Sequence, residues 1–188
     1  MIIGLTGRIA AGKGLVAECL MENYGFGYET VSMEVRREVK SRGYNEEEIK
    51  RSLLQDIGNE ISQREGSGAW MNRILKRVDL SKNITIDGIR NPGEISVLRM
   101  QDNFYLFSVD ALKIKRYNRI ISRGKQSDPK TWEEFLEMDR RDYREDDPLG
   151  QQVGKCMEQA DYPLINNSTV EEFNYKIRKL FSNLIDKN

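Results

Sequence analysis

MIIGLTGRIAAGKGLVAE, residues 1–18, is the stretch on which the reading of this chain turns. Met1 to Thr6 is a short apolar run that reads as a buried strand. Gly12 to Asn23 reads as a helix with Leu15, Val16, Cys19 and Leu20 on one face. Between them, Gly7 to Gly14 spell G-x-x-x-x-G-K-G. Strand, glycine-rich turn and helix in that order bring backbone N–H groups and the positive end of a helix to one point, which suits a phosphate. Gly7 and Gly12 allow the backbone to turn and approach closely, and Lys13 reaches terminal phosphates as a point charge. The competing reading is a chance glycine turn. A hydroxyl residue is expected after such a lysine to serve a magnesium ion; here Gly14 stands there and Leu15 follows.

Outward from this stretch, short apolar runs alternate with helical patterns. Strands are predicted at Tyr28 to Val31, Asn83 to Ile86, Asn103 to Val109 and Tyr162 to Ile165. Helices are predicted from a Ser32 cap to about Ser41, over Glu46–Arg64 and Ala69–Val78, and from Asn91-Pro92 onward. Further helices are predicted over Ala111–Arg123, Thr131–Arg144, Leu149–Gln159 and Val170–Ile185. Alternation of this kind predicts an α/β protein with a central parallel sheet of about five strands. No strand falls between residues 32 and 78, so that stretch is expected to form a flap beside the sheet. Residues 111–147 are expected to form a second mobile element.

Composition excludes several chemistries. The chain has 188 residues and no histidine, which removes histidine-based zinc sites and Ser-His or Cys-His catalysis. Thirty acids balance thirty bases, so no overall field draws nucleic acid or an anionic membrane. Cys19 and Cys156 read as buried thiols of a reducing compartment. No apolar stretch is long enough to span a bilayer and the N-terminal run is too short for a signal peptide, so a cytoplasmic location is expected.

Two further features carry chemistry. Ile84-Thr85-Ile86-Asp87 is an apolar strand ending in a carboxylate, fit to lie near magnesium beside a phosphate loop; it is also a common strand-end turn, Asp-Gly. Arg116, Arg119 and Arg123 share one helix face at i, i+3 and i+7. Such a face either gathers anions through bidentate guanidinium forks or pairs with the acids at Glu133, Glu134, Glu137 and Asp139. Arg140 and Arg141 either join the same anion or lie at the surface.

Taken together, the chain resembles the P-loop nucleotide kinases: dephospho-CoA kinase-like, adenylate kinase-related and deoxynucleoside monophosphate kinase-like proteins. The likeness rests on Leu5 through Gly14, Leu54 through Glu60, Ile86 through Glu94, Arg116 through Arg119 and Ala160 through Asn167. It implies a single domain over residues 1–188 with the three-layer P-loop NTPase fold, an acceptor-binding flap at about 32–78 and a lid at about 111–147. It implies ATP held by Gly7, Arg8, Ile9, Ala10, Ala11, Gly12, Lys13, Gly14 and Leu15, with Asn166 near the adenine. Mg2+ would be met through water by Asp87. Arg36 and Arg90 would hold the phosphate of a small-molecule nucleotide acceptor, and Arg116, Arg119 and Arg123 would be lid arginines acting in catalysis with Lys13 and Asp87. Two departures stand out: Leu15 replaces the usual threonine, and Met33 occupies the place of an acid before the flap arginine. They leave room for a nucleotide-binding sensor or assembly module without catalysis. A nucleic-acid contact by the basic helix is disfavoured by zero net charge and by Tyr117 being its one nearby aromatic.

Overall fold

The computed structural model describes residues 1–45, 47, 49, 51–125, 128–143 and 148–185. Five strands form one sheet: β1 (Ile2–Gly7), β2 (Gly27–Thr30), β3 (Ile84–Ile89), β4 (Phe104–Asp110) and β5 (Tyr162–Ile165), in the order β2-β3-β1-β4-β5. All four pairings are parallel. The α/β architecture with a parallel sheet is therefore the one expected from the alternation of elements.

The pleat sorts the β1 side chains. Ile3 and Leu5 face a core shared with α1 (Lys13–Tyr24) and α9 (Val170–Ile185), where Val16, Leu20, Phe173, Ile177 and Phe181 are buried. Ile2 faces the opposite core with Ile84, Ile86, Leu106, Ile95 of α5 (Pro92–Leu98) and Met71 and Ile74 of α4 (Ala69–Arg77). Cys156 of α8 (Val153–Glu158) closes this second core, and both cysteines are free and buried. A third cluster belongs to the flap. Val35 and Val39 of α2 (Val31–Ser41) pack there on Ile57 and Ile61 of α3 (Arg51–Glu65) and on Trp70.

Several boundaries differ from the sequence reading. The cap of α2 is Thr30, whose hydroxyl accepts from the Met33 N–H at 2.9 Å; Ser32 lies inside the helix. The helix expected from Glu46 is described from Arg51, and Glu46 lies outside the described residues. Arg144 and the acidic terminator Glu145–Asp147 also lie outside them. The helix expected over Leu149–Gln159 is confined to α8, because the segment before it is held as a turn against residues 90 and 91. The Gln152 N–H donates to the Arg90 carbonyl at 2.7 Å, and the Asn91 amide donates to the carbonyls of Pro148 and Gly150 at 2.8 and 2.7 Å. Nor does β3 end at Asp87. It continues to Ile89 through a bulge at Gly88, since Leu5 pairs with Asp87 and Thr6 with Ile89.

Asn91 also starts α5. Its side-chain oxygen accepts from the Gly93 N–H at 2.8 Å, while Glu94 accepts from the Arg90 and Asn91 N–H groups at 2.7 and 3.0 Å. One side chain thus serves as a helix cap and as an anchor for residues 148–150. Asn91→Ala is expected to lower stability by about 1–2 kcal/mol with an unchanged denaturant m-value, measured by urea unfolding.

Candidate active site

The carboxyl ends of the parallel strands meet at one rim, where open α/β sheets bind ligands. Gly7 leaves β1 with φ 133°, and a side chain there would overlap the Val109 carbonyl. Gly12 has φ 111°, and a Cβ on it would strike the Asn166 amide. Between them Ala10 sits at φ 55°, an αL conformation that costs a non-glycine residue about 1–2 kcal/mol. The loop is therefore a tight turn pressed against the sheet.

Its carbonyls are held from several sides. Lys13 Nζ donates to Gly7 O at 2.9 Å and Arg8 O at 3.0 Å. Arg116 Nη1 reaches Ile9 O at 3.4 Å. Arg119 donates to Ala10 O at 3.3 Å, Ala11 O at 3.1 Å and Asn166 O at 2.9 Å. Asn166 Nδ2 donates to Ala11 O at 2.8 Å. A trans peptide points its N–H opposite to the preceding carbonyl. Drawing the carbonyls of Ile9 and Ala11 outward thus turns the N–H groups of Ala10 and Gly12 inward. Lys13 and Gly14 add the free N–H groups of the first turn of α1. This is a cradle for an anion.

The loop opens into a cavity of about 560 Å3 lined by Arg8, Lys13, Arg90, Arg123, Lys125 and Arg141, with Asp128, Asp139 and Asp142 as its acids. A second cavity of about 750 Å3 shares Lys13, Arg90 and Arg141 with it and runs along the flap, past Gln55, Asn59, Ser62 and Gln63 of α3. Together they make one cleft, cationic where Lys13, Arg90 and Arg141 meet and lined further along by the amides of α3 with Asp56, Asp87 and Glu94 as acids.

Asp87 projects into the second cavity from β3. Its Oδ2 accepts from the Tyr28 hydroxyl at 3.2 Å, and its buried Oδ1 has no hydrogen-bond partner among the described residues. An unpaired carboxylate oxygen close to Lys13 suits the water shell of a hard divalent cation. No cluster of three or more metal-ligating side chains occurs among the described residues. Burial, with the Asp87 charge next, pushes the Tyr28 phenol up to about 12, so it stays a donor to Asp87 at any working pH. Burial also raises the Asp142 carboxyl, against the attraction of Arg90 and Arg141, and pushes Glu94 up to about 7.

The predicted site residues divide. Gly7, Arg8, Ile9, Ala10, Lys13, Arg90 and Arg123 line the first cavity and Asp87 the second. Leu15 packs into the α1–α9 core, so no hydroxyl comes from that position, whereas Gly14 is exposed. Arg116 and Arg119 do not line the cleft. Arg116 is 1% exposed and grips Asp139 of α7 (Trp132–Tyr143) with two hydrogen bonds of 2.6 and 2.9 Å; Arg119 is occupied by the loop carbonyls. Arg123, on the same α6 (Lys113–Arg123), pairs with Asp128 at 2.7 Å. The arginine face thus pairs largely with protein acceptors. Arg36 lies on α2 away from both cavities, which that helix meets through Ser32 and Val35 instead. Asn166 is 1% exposed beneath the loop, so it braces the backbone where an adenine contact was expected. Met33 is exposed outside the cleft. Sequence reasoning missed Tyr28, which nothing in its local pattern marks, and the stacking of Arg8 on Tyr143 at 4.0 Å.

No protein-family model matches the chain. It is 30% identical to UPF0200 protein PH1008 of Pyrococcus horikoshii over 197 aligned residues, spanning 98% of each chain. It is also 30% identical to a UPF0200 protein of Sulfurisphaera tokodaii, spanning 98% of this chain and 97% of the relative. Among solved structures it resembles shikimate kinase from Acinetobacter baumannii, with TM-score 0.60, 15% identity and coverage of 100% of this chain and 94% of that one. It also resembles a gluconokinase from Sinorhizobium meliloti 1021, with TM-score 0.55, 12% identity and coverage of 99% and 96%. At these identities the likeness concerns the fold alone. No helix among the described residues is long and apolar enough to cross a membrane.

Burial under the loop lowers the Lys13 pKa to about 8, the largest opposing influence being Asp87. The unfolded chain therefore binds the extra proton between about pH 8 and 10.5, so this group favours folding increasingly as pH rises through that window. A bound polyphosphate favours the ammonium and reverses the shift. Binding of inorganic sulfate, a phosphate mimic that does not itself titrate in this range, should take up more proton at about pH 9 than at about pH 7. Calorimetry in buffers of different ionisation enthalpy reads this directly; sulfate heats that are buffer-independent at about pH 9 would mean that Lys13 does not meet the anion.

Proposed function

The chain belongs to the UPF0200 family, whose name states no activity, and we propose that it is an ATP-dependent phosphotransferase acting on a nucleotide-like acceptor. The acceptor class comprises nucleoside and deoxynucleoside monophosphates and dephospho-CoA. The observation that carries this reading is the continuity of the cleft. A loop built to cradle phosphate opens across Lys13 and Arg90 into a second cavity with room for another substrate.

In this reading the loop N–H groups and Lys13 hold the β- and γ-phosphates, and Arg90 and Arg141 hold the head of the acceptor. Asp87, through its unpaired Oδ1, would hold a magnesium ion by way of water, and the ion would supply neutralisation of phosphate charge. In transfer, the bond from the γ-phosphorus to its bridging oxygen breaks with the electron pair staying on ADP. The acceptor oxygen forms the new P–O bond. A hydroxyl acceptor gives its proton to Asp87; a phosphate acceptor attacks through an oxygen already ionised. Catalysis then consists of positioning and charge neutralisation.

A second reading, a nucleotide-binding sensor or assembly module, draws on the engagement of Arg116 and Arg119 with the loop and Asp139. It is favoured if ATP binds tightly and no acceptor is phosphorylated.

Incubation with ATP, magnesium and a panel of nucleoside monophosphates, deoxynucleoside monophosphates and dephospho-CoA, with ADP followed, tests the proposal. Transfer to one class is the expected result. Lys13→Met is expected to lose at least about a hundredfold in turnover while remaining folded by circular dichroism. Arg90→Ala should raise the acceptor KM about tenfold more than the ATP KM. Equal effects on both substrates would remove Arg90 from the acceptor site.

A further inference from the structure

Arg8 has an environment that the loop motif does not require. Its guanidinium lies 4.0 Å over the Tyr143 ring, and its Nη2 meets Asp139 Oδ2 at 3.1 Å. Its Nη1 is buried and has no acceptor among the described residues. Asp139 is itself saturated: both its oxygens are gripped by Arg116, whose Nε in turn donates to Ala111 O at 2.9 Å. One carboxylate thus stands between two guanidiniums at the wall of the anion cavity. Asp110 Oδ1 lies 3.7 Å from Arg116 Nε as well, so two carboxylates balance the two guanidiniums. What is left over is the spare N–H of Arg8, and a buried donor without an acceptor costs free energy that an anion recovers.

The place of Arg8 in the loop tells which anion. Lys13 Nζ sits on the carbonyls of Gly7 and Arg8, at the loop's beginning. A phosphate-loop lysine reaches the terminal phosphates, so Arg8 belongs at the γ end. Releasing Arg8 from Asp139 leaves no bare buried carboxylate, because Arg116 keeps both oxygens. The Tyr143 ring, 4.0 Å from the guanidinium carbon, holds the cation in place whether or not the ion pair persists.

Resting on the nucleotide-kinase reading, we propose that Arg8 is a catalytic residue that contacts the terminal phosphate of ATP. Tyr143 and Asp139 of α7 act as its positioning residues. The loop then supplies its own arginine to the transferring phosphoryl group, and α7 aims it. Lysine cannot replace it, since an ammonium has neither the second N–H fork nor the flat face for the stack.

Calorimetry of wild type, Arg8→Ala, Arg8→Lys and Tyr143→Leu with Mg-ATP and with Mg-ADP tests this. Wild type should prefer ATP. Arg8→Ala should lose about tenfold in ATP affinity and less than about twofold in ADP affinity, with Arg8→Lys recovering little. Tyr143→Leu keeps the charge and should lower the ATP-over-ADP preference by about threefold. A structural role alone would weaken both nucleotides equally, and that result overturns the proposal, as does an unchanged preference in Arg8→Ala. If wild type binds neither nucleotide, the kinase reading fails and takes this inference with it. If wild type prefers ATP and Arg8→Ala does too, only the inference fails. Melting temperatures identify any variant that does not fold; Arg8→Ala leaves the Arg116–Asp139 pair intact and is the variant least exposed to that outcome.

Discussion

Every carbonyl from Gly7 to Ala11 accepts a hydrogen bond from a side chain, and the candidate site depends on that constraint. A loop with free carbonyls would present mixed polarity to an anion. Here Arg116, Arg119 and Asn166 draw the carbonyls of Ile9, Ala10 and Ala11 to one side, which turns the N–H groups of Ala10 and Gly12 to the other, while the Ala11 N–H donates to the Arg8 carbonyl at 3.3 Å. The αL strain at Ala10 and the close contacts of Gly7 and Gly12 follow from the same geometry: the turn is held open from behind. The three side chains come from α6 and from the end of β5, so the phosphate loop is shaped by residues more than a hundred positions away in sequence.

The same contacts join α6 and α7 to the loop through charge. Burying an ion pair is costly unless its hydrogen bonds are nearly complete, and Arg116 with Asp139 meets that condition through two short bonds plus the Ala111 carbonyl. Arg8 is the unequal third member, held by one ion pair and one ring face. The rigid pair fixes where α7 stands, and the looser arginine is the one able to answer a ligand. Division of labour among cations thus follows from how many donors each already has satisfied.

Much of this fold was legible in the chain because its signals are local. Strand β1, the Gly-Lys-Gly turn and α1 are contiguous, and the periodicity at α1 names Val16, Cys19 and Leu20, which are found buried there. The alternation of short apolar runs with amphipathic helices sufficed for the parallel sheet. Less was legible where a partner lies far off. Arg116, Arg119 and Arg123 share a face, but no local rule says that Asp139 takes the first, the loop carbonyls the second and Asp128 the third. Asn166 was located by its place after the last strand, yet its role depends on Gly12, which leaves no room between loop and amide. Tyr28 has no motif at all; its partner Asp87 is a neighbour only because β2 and β3 pair.

Charge is also distributed by function across the flap. Glu38, Arg42, Glu60, Arg64, Glu65 and Arg73 form a closed ring of ion pairs joining α2, α3 and α4. Single exposed pairs contribute little, but a ring fixes each side chain for two partners at once and spreads its entropic cost. The cleft-facing Gln55, Asn59 and Gln63 of α3 recur every fourth residue and carry no charge. The cations gather where Lys13, Arg90 and Arg141 meet, and Asp56, Asp87 and Glu94 are the acids of the same cavity, so groups of both signs face one cleft while the ring of ion pairs on the flap joins helices.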